Sequence, residues 1–342
     1  MRRAPLLLAG ALSLLSGLGC GPEFDPSNEI KTLRVMGVKK DKPYAQPGDD
    51  VTLQLLWHDP KGRDNVQRVF LGGCINPPGD LYYGCFGQYG EKLANGTLPA
   101  PGMGDTYQVS LPSDIISSRG PGQPGQASYG LYIVFFAVCA GTIDFVTTAP
   151  TDGSGGLPIR CLDGDQPLGS DDFVVGYSSI YSFEGVSNDN PSFTVTDGQG
   201  EYLIAGKSVP ADCVGDACQG AAPVTVDCDA TPERCVATCK DDGDSSCPAI
   251  DVKPTIDQII EKDQVSSDLF KTTVTEQMWV NYYIDHGDIS EVRLLNDSNS
   301  GWNEKYRGQL RAPKAPGPIQ VWSVAHDNRG GMEFSRVTLQ AE

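Results

Sequence analysis

An all-β protein built as β-sandwiches is predicted, and three observations predict it. Short runs of aliphatic, β-branched and aromatic residues recur with a period of two, as in Val51, Leu53, Leu55 and Trp57. Turn chemistry separates them, drawn from 40 Gly and 25 Pro in 342 residues. Helical periodicity is almost lacking, so the runs must pair as sheets and bury one face against another sheet. The length suits two domains of roughly 150 residues each.

Taken in order, Leu33–Val38 is the first strand. Pro47 presets φ and Gly48 supplies a positive φ for the turn into Val51–His58. Asp59–Gly62 turns the chain into Val66–Leu71. Gly72–Ser128 is rich in Gly and Pro, with one strand expected at Tyr107–Leu111. Tyr129–Cys139 is too short to span a bilayer as a helix, and its aromatic and β-branched content makes it a central strand. Phe173–Tyr177 and Ile180–Phe183 complete the first half, after the polar insertion Ala140–Asp172. Expected strands of the second half are Ser192–Thr196, Gln277–Ile284, Glu291–Leu295, Lys305–Arg311, Ile319–His326 and Met332–Gln340. The last two are joined by the turn Asp327–Gly331.

The N-terminus reads as an address. Arg2 and Arg3 precede an uncharged apolar stretch, Ala4–Leu18, of the length of a secretory h-region. Gly19-Cys20-Gly21 follows and resembles the lipobox of bacterial lipoproteins, with Gly17 where that family favours Leu. The resemblance implies cleavage before Cys20, acylation of Cys20 and, with Gly21 next, sorting to the outer membrane. Residues 1–19 are then signal peptide and 20–29 a tether of roughly 30 Å at full stretch. The chain beyond the signal carries 24 Lys+Arg against 44 Asp+Glu, −20 in all. Such acidity suits a solvated surface and excludes a nucleic-acid partner, which requires a basic stripe.

Without Cys20 ten cysteines remain, an even number suited to disulfides in an exported chain. Cys139 and Cys161 bracket most of the Ala140–Asp172 insertion and are expected to pair at its base. Cys74 and Cys85 are expected to close the loop after Val66–Leu71 in the same way. Cys213, Cys218, Cys228, Cys235, Cys239 and Cys247 crowd an acidic segment with few apolar residues, which needs covalent staples. Six cysteines allow fifteen pairings, which the sequence leaves open. Their spacing contains no CxxC and no nearby His, so a zinc ribbon is not indicated.

The opening Leu33–Arg63 resembles the first two strands of bacterial immunoglobulin-like domains, and the last third resembles their closing strands. Together with the lipobox this is similar to tandem-domain lipoproteins common in myxobacteria, a likeness that implies fold and address but no activity. The expected organisation is one immunoglobulin-like sandwich over 30–186 and a second over 187–342, with a Cys-rich insertion at 205–250. No HExxH, GxSxG or P-loop occurs. His58 and His326 are expected at strand ends and His286 in a turn, all exposed. Trp57, Trp279 and Trp322 are expected in cores, and Trp302 as the exposed aromatic. Asp241-Asp242-Gly243-Asp244 and Asp163-Gly164-Asp165 offer carboxylates of the kind Ca²⁺ prefers, but neither continues into a twelve-residue calcium loop. The expectation is a non-catalytic envelope binding or adhesion module without cofactor or metal. Its partners would be the membrane, through Cys20, and envelope proteins or surface glycans. The alternatives are a structural subunit of an envelope assembly and, behind it, a hydrolase or metal-dependent enzyme.

Overall fold

The run Tyr129–Cys139 is apolar along its length because its strand is covered on both faces. In the computed structural model, which describes residues 26–97, 100–120, 127–146, 157–218, 220–242, 245–297 and 301–342, Val134, Phe136 and Val138 enter one core. Leu131, Ile133, Phe135 and Ala137 enter another. A period of two sends neighbouring side chains to opposite faces, so a strand buried twice has no polar alternation to show.

The protein is all-β, with two short α-helices among the described residues. The first half contains β1 (Arg34–Lys40), β2 (Asp50–His58), β3 (Gln67–Ile75), helix α1 (Cys85–Ala94), β4 (Thr106–Ser110), β5 (Tyr129–Cys139), β6 (Thr142–Phe145), β7 (Ile159–Asp163) and β8 (Phe173–Phe183). β1, β2 and β4 form one sheet. β8, β5 and β3 form the centre of a second, flanked by Tyr44–Ala45 and Gly102–Met103. The first core lies between them, with Val51, Leu53 and Leu55 of β2 against Phe70 of β3, Phe136 of β5 and Ile180 of β8.

The opposite face of the second sheet is covered by two accessories, each held by a disulfide. Cys74 of β3 bonds Cys85, the first residue of α1. Cys139, the last residue of β5, bonds Cys161 of β7. Tyr89 of α1 is buried there and its hydroxyl donates to the Gly72 carbonyl at 2.8 Å. Ile143 and Ile159 of the β6–β7 hairpin join the same core. Two expectations are corrected here. The Gly-rich stretch after Leu71 holds a helix, and the Ala140–Asp172 insertion holds a hairpin.

The second half contains β9 (Gln199–Ile204), β10 (Lys207–Pro210), β11 (Ile250–Pro254), helix α2 (Gln264–Phe270), β12 (Met278–Ile284), β13 (Val292–Leu294), β14 (Gly308–Arg311), β15 (Gly317–Asp327) and β16 (Met332–Ala341). One sheet runs β16-β15-β12-β13, and another has β9, β11 and β14 at its centre. Tyr202 of β9, Val252 of β11, Tyr282 of β12, Ile319 of β15 and Leu339 of β16 share their core. The expected strand Ser192–Thr196 is reduced to Val195–Thr196, and β13 and β14 are shorter than expected. The β9–β10 hairpin and β11 lie where no strand was expected.

The Cys-rich segment is stapled by neighbours in sequence: Cys213–Cys218, Cys228–Cys235 and Cys239–Cys247. Cys213–Val214 and Cys235–Val236 both pair with β16, so the segment lies along that edge. Buried Arg234 binds buried Asp212 at 2.9 Å and donates to the Thr338 carbonyl. Cys20 lies outside the described residues.

The halves meet at a seam. Trp322, Val324 and Phe334, on the outer face of β15–β16, are buried against Met36 and Leu56. Gly37 permits the approach, since a Cβ there would lie 2.4 Å from Met332 Sδ. Lys39 bonds Glu333 and Asp216, each at 2.9 Å. Residues within the expected tether belong to this seam. Asn28, in the tether, and Ile30, just beyond it, are buried, and Ile30 N–H donates to the Ile284 carbonyl at 2.7 Å.

Candidate functional site

Between the two disulfide-held accessories, the outer face of β5 and β8 is left open. The groove there has a volume of about 520 Å³. Its floor is Phe135 of β5 with Phe173, Val175 and Tyr177 of β8. Tyr82 and Phe86 wall it on the α1 side, Leu157 and Ile159 on the hairpin side. Tyr82 and Tyr177 are 41% and 47% exposed, and their rings stack at 4.7 Å and 19°. Alternation along β8 carries the aromatic surface onward through Tyr181 and Phe183, which stack at 6.3 Å. Tyr129 of β5 packs against both. None of the described side chains lining the groove is charged at neutral pH, and Tyr82 and Tyr177 provide its hydroxyls. An apolar concavity with few polar groups is the ordinary form of a ligand site.

A second cavity, of about 540 Å³, lies where the halves meet and shares Tyr177 with the groove. Lys40, Asp327 and Arg329 in its lining are engaged by other groups of the protein. Lys40, 6% exposed, donates to the Ser179 carbonyl at 2.9 Å. Burial pushes its pKa down to about 8, against the pull of Asp327. Arg329 is buried and bonds Glu261 and, at 2.5 Å, Glu276, whose carboxyl burial pushes up. Asp327 accepts from the Arg329 and Gly331 backbone N–H groups at 2.7 and 2.8 Å and from Asn188 at 3.0 Å. Asn190 joins Lys40 to Met332, donating to the Lys40 carbonyl at 2.7 Å and accepting from Met332 N–H at 2.8 Å.

Two histidines expected to be exposed are half-buried. His326 lies flat on Trp279, ring centres 5.3 Å apart, and burial with help from Lys40 pushes its pKa down to about 4. His58 packs on Trp322 at 4.5 Å, and burial lowers its pKa too. Both sit in long strands that run on into the seam, so a strand end is not an exposed end here. His286 keeps its exposed turn beside Asp285, whose hydrogen bond raises its pKa. Trp302 is also corrected: it packs on Tyr306 and the second core rather than standing free. Trp322 is in a core, whereas Trp57 and Trp279 are half-buried and donate to Asp105 and Asn281.

Among the described residues no group of three His, Cys, Asp or Glu side chains is placed to hold a metal ion. Asp241 and Asp242 are engaged by Lys314, and Asp244 lies outside the described residues. The groove had no local signal in the sequence: Tyr82, Ile159 and Tyr177 come together through two disulfides and a sheet. No protein-family model matches this chain, and no curated protein matches it.

Proposed function

We propose that this chain is an outer-membrane lipoprotein, anchored through Cys20, in which two immunoglobulin-like sandwiches over 30–186 and 187–342 form a non-catalytic binding module. The observation that carries the reading is the groove: an exposed aromatic concavity whose two walls are each fastened by a disulfide. Five disulfides accord with an oxidising compartment, and stacked sheet pairs accord with sandwich domains. The residues with the largest changes in proton affinity near the seam are engaged in packing, which favours binding over catalysis.

A second reading, a structural subunit of an envelope assembly, is favoured by Ile259 and Phe270, apolar and 61% and 65% exposed. Site-specific photocrosslinking in intact envelopes separates the two. A photoreactive residue at position 82 is expected to trap a discrete ligand, with none trapped from position 270. Trapping of a protein only from position 270 would overturn the binding-module reading in favour of the assembly. Mass spectrometry of the mature N-terminus tests the address: a lipidated Cys20 is expected, and an intact Met1 with free thiols would refute it.

A further inference from the structure

We propose that the groove holds the alkyl chain of a neutral amphiphile, drawn from the membrane to which the protein is anchored. This deepens the reading of the groove as the binding site and rests on it. The chemistry comes from the lining. Phe86, Phe135, Phe173, Leu157, Ile159 and Val175 offer only carbon, and the hydroxyls of Tyr82 and Tyr177 are the side-chain polar groups. A saccharide buried there would leave most of its hydroxyls without partners, a costly loss of hydration. An alkyl chain loses no hydrogen bond on entering and gains for each methylene taken from water. Among the described residues the lining holds no cation to receive an acidic head, and the formal charge of −20 beyond the signal opposes one.

The source follows from where the tether enters. The carbonyl of Ser27 accepts from the Arg34 guanidinium at the start of β1. Leu33 N–H, one residue earlier, donates at 3.1 Å to the carbonyl of Asp171, two residues before Phe173 on the groove floor. Five residues, 21–25, separate Cys20 from Pro26, and the six Cα–Cα steps between them span at most about 22 Å. A lipid surface at Cys20 is therefore within a short tether of the groove's Phe173 end.

The test uses the full mature chain carrying Cys20→Ser, exported without lipid and with its disulfides formed. Calorimetric titration with alkyl maltosides from hexyl to dodecyl, below their aggregation thresholds, is compared with maltose. Expected is no binding of maltose and an affinity rising about fourfold per methylene, then levelling when the chain outgrows the groove. Val175→Asp should abolish binding; Tyr82→Ser, on the exposed wall, should weaken it severalfold if the first variant does not fold. Binding of maltose with no dependence on chain length would overturn the proposal in favour of a saccharide, and no binding through dodecyl would overturn it outright. The source is read separately, with the anchored protein in vesicles containing a phospholipid with a photoreactive acyl chain. Labelling of the peptides bearing Tyr82 or Phe173 is expected; labelling by soluble amphiphile alone would remove the membrane as source. Absence of lipid on Cys20 would refute the anchor and leave the titration result standing.

Discussion

Removing the Cys139–Cys161 bridge should cost both stability and the groove. The bond closes a segment of 22 residues, so its loss returns about 3 kcal/mol of chain entropy to the unfolded state. The hairpin it fastens contributes Ile143 and Ile159 to the outer core, and Ile159 is also a groove wall. Cys139→Ala with Cys161→Ala is therefore expected to lower stability by about 3 kcal/mol. The assay is urea unfolding followed by tryptophan fluorescence, to which Trp57 on β2 contributes from the first half. Amphiphile binding should weaken at least tenfold in the same variant. The control is Cys228→Ala with Cys235→Ala, which opens a 7-residue segment in the second half. Its loop entropy is only slightly smaller, about 2.4 kcal/mol, but it should leave groove binding unchanged. A loss under about 1 kcal/mol in the first variant would refute the loop argument. Equal binding in both variants would refute the fastening role.

Two further predictions concern pH. Lys40 has a folded pKa of about 8 against an ordinary 10.5, so the folded state releases its proton first. A depressed value means stability that is complete above 10.5 and lost as pH falls through 8. The wild type should thus gain up to about 3 kcal/mol on Lys40→Met between pH 8 and 10.5. Urea midpoints at pH 7.5 and 10 check this, and a constant difference between the two proteins would contradict it. His326 has a folded value of about 4 against 6.5, so its contribution is complete above 6.5 and lost as pH falls toward 4. Up to about 3 kcal/mol should disappear over that range in the wild type but not in His326→Phe. Parallel acid denaturation curves for the two proteins would rule out a ring held neutral by the fold.

How much could be read from the sequence depended on whether a signal was local. β2 was plain because one of its faces is half-covered and the alternation survives. β5 was plain through its length and β-rich composition, although burial on both faces erased its alternation. The Cys139–Cys161 and Cys74–Cys85 bonds follow from elements adjacent in the chain, and both are present. Helix α1 was hidden by Gly87 and Gly90, each costing about 1 kcal/mol relative to Ala in a helix. The bond at Cys85 and the Tyr89 hydroxyl hold the helix where its propensity does not. His326 and Trp302 are half-buried by contacts from distant strands, which leave no mark in the local sequence. The groove is the extreme case: the aromatic positions Phe173, Tyr177, Tyr181 and Phe183 share a face of β8, but only the fold brings Tyr82 and Ile159 to them.

The chain's course through the seam bears on what an anchor at Cys20 would hold. The N-terminal segment pairs with the second half first, Glu29 bridging Ile284 and Asn28 donating to the Ile289 carbonyl. Only then does it enter β1 of the first half. The connection back is equally shared, with Asn188 bonded to Asp327 and Asn190 joining Lys40 to Met332. Both crossings therefore lie in the seam, beside the apolar contact of Met36 and Leu56 with Trp322 and Phe334. A tether entering at one end of a string of domains would leave the far domain to reach outward. A tether entering at a seam loads both halves together, and here the chain leaving it reaches Asp171, two residues before Phe173 at the groove, by Leu33. With Cys20 lipidated, as proposed, the first half would lie beside the membrane rather than beyond the second, which is the arrangement an alkyl-binding groove requires.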